Sequence, residues 1–158
     1  MRKSSKKSKK KRIIDNRPAS NEKTVHDRSE ATNYKNRYVK FSTLHHDKDG
    51  EWGWESICGH TFLKDLFDKI YNDYSSMKYS ELIDPKKNSH AVSFDAKGLH
   101  KNAIKRLSDL KLIDHFDELI TIRVTGKKRL WCLHNEHVLH MLWWDPDHKI
   151  YPSHKKNT

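Results

Sequence analysis

Residues 119–144 constrain the fold most, because three β-type runs are separated there by two short polar turns. In the first run Ile120, Ile122 and Val124 alternate with Leu119, Thr121, Arg123 and Thr125. That is the period of two that a strand imposes, since successive side chains leave on opposite faces. Gly126-Lys127 supplies a turn, and Arg129-Leu130-Trp131-Cys132-Leu133 forms a second strand. Asn135-Glu136, between His134 and His137, reads as a tight hairpin turn. The third strand, Val138–Trp144, is stopped by Asp145-Pro146-Asp147, where proline has no N–H for a ladder. The C-terminal third is therefore expected to be a three-stranded antiparallel meander.

Upstream, the pattern changes. Tyr38-Val39-Lys40-Phe41-Ser42-Thr43-Leu44 places Val39, Phe41 and Thr43 on one face of a strand, and a polar turn from His45 to Gly50 follows. From Thr61 to Tyr74 the period becomes helical, with Phe62, Leu63, Leu66, Phe67, Ile70, Tyr71 and Tyr74 in one stripe and Thr61 as N-cap. A short helix over Met77–Ile83 is expected to end before Pro85. Leu99–Leu110 carries a third, while Ala91-Val92-Ser93-Phe94 reads as a short extended piece. The expectation is an α+β fold: an N-terminal strand, two or three helices, then the meander. The 158 residues suit one domain over 37–153, with tails at 1–36 and 154–158.

Charge separates tail from body. Residues 1–37 hold 13 Lys/Arg and 4 Asp/Glu, which accounts for +9 of the chain's +11. That tail has no aromatic residue before Tyr34 and no apolar period. It buries too little to offset about 1–2 kcal/mol of backbone ordering per residue, so a disordered basic tail is expected. Lys6, Lys7, Lys9, Lys10, Lys11 and Arg12 are its candidate nucleic-acid contacts, each releasing counterions near a phosphate. Within the body, residues 86–129 carry 11 basic and 5 acidic groups, so a phosphate site is expected there. The mean hydropathy of −1.02 fits the lack of any bilayer-spanning apolar run. The basic start lacks a signal peptide's apolar region, and two cysteines cannot make a disulfide framework. A cytoplasmic protein without membrane contact is expected.

The order of strand, helices and a three-strand meander with basic residues at Ile122-Arg123-Val124 and Arg129-Leu130-Trp131 resembles the RelE-like toxin superfamily of small bacterial ribonucleases. A second likeness is to a set of bacterial proteins sharing Ser75-Ser76-Met77, then Ser80-Glu81-Leu82, and a C-terminal Trp143-Trp144-Asp145-Pro146-Asp147-His148-Lys149-Ile150-Tyr151-Pro152. That set brings no activity with it. The RelE-like resemblance implies an RNA-targeting toxin-type endoribonuclease or phage-defence component. It implies cleavage without metal or cofactor, through the 2′-hydroxyl, with RNA or the ribosome as target and an antitoxin as a further partner.

Such cleavage needs a proton acceptor, a cation for the charge developing on phosphorus, and an acid for the leaving oxygen. Arg123 and Arg129 are candidate clamps, because a planar guanidinium meets two phosphate oxygens at once. His148 and Tyr151 follow the last strand, where the resemblance places a proton-transfer residue; an imidazole titrates in the useful range. Lys127 and Lys128, at the turn, are candidate phosphate contacts. Each of these also suits an ordinary role as solvated charge or, for Tyr151, packing. Metal binding is not expected: His137 and His140 alternate to opposite faces, which leaves His134 and His137 as a pair only. Cys58, which could serve as a nucleophile, reads rather as a buried thiol, since no charged base pattern accompanies it. Trp143 and Trp144 must also face opposite ways, so in a two-layer fold one of them would cover a helix or meet a ligand. A non-catalytic RNA- or DNA-binding module is one alternative. A protein-interaction subunit using the acidic helix residues Asp65, Asp68 and Asp73 is another.

Overall fold

The computed structural model describes residues 33–57, 60–84, 86 and 89–152, without the side chains of Ser56, His60, Thr61 and Tyr71. The basic arm and Cys58 lie outside the described residues, and Thr61, expected as N-cap, falls within the first turn of a helix that already begins at His60. The elements in order are β1 (Lys40–Ser42), α1 (His60–Lys69), α2 (Tyr79–Leu82), β2 (Ser89–Ser93), α3 (Lys101–Asp109), β3 (Glu118–Thr125), β4 (Lys128–Asn135) and β5 (Val138–Asp145). The architecture is α+β.

The sheet differs from the expected three-stranded meander. It has five strands in the order β1-β5-β4-β3-β2 and is mixed. β3, β4 and β5 pair antiparallel in succession, β2 adds antiparallel to β3, and β1 adds parallel to β5. A parallel partner needs a long crossover, and nearly a hundred residues separate β1 from β5. Beyond β1, the loop that follows takes over the edge of β5: the Asp47 N–H donates to the Leu142 carbonyl at 3.1 Å, and the Trp144 N–H to the Trp52 carbonyl at 3.1 Å.

Helices cover both faces, so the molecule is three layers deep. On the first face Phe62 and Leu66 of α1, Tyr74, and Tyr79 and Leu82 of α2 pack on Ile120, Ile122, Leu130, Cys132 and Trp144. On the second, Ala103 and Leu107 of α3 join Trp52 over Leu119, Trp131, Leu133 and Trp143. Trp143 and Trp144 do face opposite ways, but both are buried, since each face has its own cover. The two-layer premise was the error.

The α1 stripe is narrower than its sequence implies. Phe62 and Leu66 are buried while Leu63 and Phe67 are 50% and 59% exposed, because the 62/66 row and the 63/67 row lie about 100° apart on a helix. The helix then widens into a π turn over Ile70–Tyr74, where the Ser75 N–H donates to the Ile70 carbonyl at 2.8 Å. This wider turn brings Tyr74 back to the core, and its hydroxyl donates to the Arg123 carbonyl at 2.6 Å.

One buried carboxylate ties the second face together. Asp47 accepts from Arg106 Nε at 2.9 Å and Nη2 at 2.6 Å, and from Trp143 Nε1 at 2.8 Å. Burial pushes the Asp47 pKa up, but the hydrogen bonds from Arg106 and Trp143 and the Arg106 charge outweigh it, and the net direction is down. The loop after β1, helix α3 and strand β5 are thus locked at one point.

Candidate nucleic-acid interface

At one end of the second face the strand register assembles a cationic group. Arg123 of β3 stands directly opposite Arg129 of β4, and Arg129 stands opposite Asp145 of β5. In the neighbouring row His90 of β2 faces Thr121, which faces Trp131, which faces Trp143. Cross-strand partners share a face, so Arg123, Arg129 and His90 project from the same side as Thr121 and Trp131.

The loop after β5 brings His148 over this end. Asp145 is fully buried and accepts the Lys149 and Ile150 N–H groups at 2.9 Å each, which bends the chain sharply. His148 takes a φ of +60° in the bend, a left-handed conformation that a non-glycine residue adopts at some cost. The Ile150 carbonyl then accepts the His100 N–H at 2.8 Å, fixing the loop to the start of α3.

These groups act on one another's charge. Burial lowers the His148 pKa first and Arg129 lowers it further, with Asp145 opposing and His90 and Arg123 adding smaller downward effects. His90 is lowered by burial and then by Arg129. Burial also lowers the Arg129 pKa, followed by the Arg123 charge, while Asp145 and Tyr74 oppose. A guanidinium still keeps its proton at any physiological pH. The result is two permanent cations and two imidazoles held mainly neutral, a site that becomes more favourable once an anion enters. Beneath it, Thr121 Oγ1 and Trp131 Nε1 are buried with no hydrogen-bond partner among the described residues. Among those residues the structure offers no group of three metal-ligating side chains.

The other expected residues are placed differently. Lys127 is exposed in the β3–β4 turn. Lys128 projects from the first face, where its ammonium pairs with Asp65 of α1, away from Arg129. Tyr151 is half-buried against the second-face core. His134 is held between Tyr79 and Glu118, with Nε2 at 2.9 Å from a Glu118 carboxylate oxygen and Nδ1 at 3.1 Å from the Tyr79 hydroxyl. Two of the three acidic residues expected to meet a partner have local ones, Asp65 in Lys128 and Asp73 in Lys69.

Sequence reasoning missed His90, Asp145 and Thr121 as members of this group. His90 was legible only if 89–93 was already known to be a strand, because its face follows from parity with Val92. The chain matches no protein-family model, no curated protein and no solved structure. No helix among the described residues is long and apolar enough to cross a membrane.

Proposed function

We propose that this chain binds RNA along its cationic sheet end and cuts it without a metal, using the 2′-hydroxyl as nucleophile. The observation that carries this reading is the Arg123–Arg129 cross-strand pair with His148 above it. Two guanidiniums side by side are unfavourable as structure and favourable as a clamp for a phosphate, whose charge they share. As the 2′-oxygen attacks, negative charge grows on the non-bridging oxygens, and fixed, half-buried cations stabilise that state more than the ground state. His148, beside both a cation and a carboxylate, is suited to move a proton near neutral pH. The basic arm supplies affinity without sequence choice.

A toxin-type or phage-defence setting, with the ribosome or an antitoxin as partner, rests on the RelE-like resemblance. The order of strand, helices and three successive antiparallel strands supports that resemblance; β2 and the cover of α3 depart from it. A non-catalytic RNA-binding role is the second reading, favoured by the half-buried packing of Tyr151, which removes one expected proton-transfer group. Incubation of the full chain with labelled mRNA, with and without ribosomes and EDTA, decides between them. Fragments ending in 2′,3′-cyclic phosphate, formed equally in EDTA, support the ribonuclease. A shifted band with every RNA intact supports the binder.

A further inference from the structure

We infer that His90 is a second catalytic imidazole, accepting the 2′-hydroxyl proton while His148 donates a proton to the leaving 5′-oxygen. This deepens the ribonuclease reading and rests on it. The argument starts from position. His90 is on the edge strand β2, opposite Thr121, one row from Arg123, and on the same face. His148 sits in the loop after β5 that folds back onto Asp145, the cross-strand partner of Arg129. The two imidazoles therefore come to the Arg123–Arg129 end of the sheet from different elements, the edge strand β2 and the loop after β5.

Their surroundings separate the two roles. Burial first, and then the Arg129 charge, favour a neutral His90 ring, which is what a proton acceptor requires. His148 faces Arg129, Arg123 and His90, but it alone has Asp145 beside it, and that carboxylate favours its protonated form. The charge of a bound phosphate would add to this preference and load the donor only when substrate is present.

The step balances. His90 takes the 2′-hydroxyl proton as the new P–O2′ bond forms. The P–O5′ bond breaks, and the His148 proton passes to O5′. The products are a 2′,3′-cyclic phosphate and a 5′-hydroxyl, with no oxidant, reductant or co-reactant needed. Each general catalyst of this kind contributes about 10²–10⁴-fold.

The test compares the full-length chain with its His90→Gln and His148→Gln variants on two RNAs, after the cleaved linkage has been mapped. One RNA is natural, and the other carries sulfur in place of O5′ at that linkage, so the leaving thiolate needs no proton. The expected result is a loss of about 100-fold or more for His90→Gln on both RNAs. His148→Gln should lose as much on the natural RNA and recover most of its rate on the sulfur-substituted one. His90→Gln cutting as fast as the wild type overturns the inference and leaves the ribonuclease reading intact. Sulfur rescue of His90→Gln but not of His148→Gln overturns the assignment of roles. A wild-type chain that cuts neither RNA overturns both the inference and the reading beneath it. Matching circular dichroism of all three proteins excludes misfolding as the cause of any loss.

Discussion

Arg123 and Arg129 are directly opposed across the β3–β4 ladder, like charges in a position where most sheets place opposite or neutral ones. Burial and the Arg123 charge both lower the Arg129 pKa, so the arrangement costs folding free energy. Arg129→Gln is therefore expected to raise stability by about 0.2–1 kcal/mol, measured by urea unfolding. A clear loss of stability would show that the guanidinium bonds to the Gly126 and Lys128 carbonyls outweigh the repulsion.

Stability should fall in mild acid. His90, His140 and His148 all have pKa values below the ordinary 6.5, with burial the first cause in each; His45 adds to the effect at His140. Above that pH the rings are neutral in both folded and unfolded chains and add nothing. As the pH drops through 6.5 the unfolded chain takes protons first, and stability is lost progressively toward the folded values. Thermal unfolding at pH 7.5 and pH 5 should show a lower Tm at pH 5. An unchanged Tm would contradict this.

The largest effect of a single substitution is expected at Asp47. Asp47→Ala strands the Arg106 guanidinium and the Trp143 indole N–H, both aimed at a carboxylate that is 3% exposed. A fully buried pair broken on one side costs about 3–5 kcal/mol, and the partial exposure of Arg106 reduces this to about 2–4 kcal/mol. Asp47→Asn should cost less, since its amide oxygen can still accept one of these bonds. Equal losses for the two variants, read from denaturant midpoints, would contradict this and show that the carboxylate charge, not hydrogen-bond acceptance, is the stabilising element.

The sequence made local structure legible and long-range structure largely not. Strands β3, β4 and β5 followed from period two, and α1 from its Phe62/Leu66 spacing, because both are set by neighbours in the chain. The parallel pairing of β1 with β5 depends on residues a hundred positions apart, and no local pattern encodes it. The register of β5 also shifts by one residue, so that Trp131 pairs with Trp143 while Cys132 pairs with Met141. Leu142 is the extra residue, and Leu142 and Trp143 both enter the second-face core. Of the expected site, Arg123, Arg129 and His148 come together. Lys128 does not, because its parity sends it to the first face and to Asp65.

Deleting residues 1–30 should weaken RNA binding and flatten its dependence on salt. Each lysine–phosphate contact on a single strand contributes about −0.7 to the slope of log K against log salt. Affinities measured at several salt concentrations for the full and shortened chains provide the check. Equal slopes would remove the arm from the binding surface.

The most direct test of the cationic sheet end is the RNA affinity of an Arg123→Ala/Arg129→Ala double variant, compared with the full-length wild type by fluorescence anisotropy at one salt concentration. Binding should weaken by at least about tenfold, the effect of losing one good charge-assisted phosphate contact, while thermal unfolding shows that the fold is retained. An affinity equal to that of the wild type, with the fold intact, would contradict the claim that these two guanidiniums hold the sugar–phosphate chain.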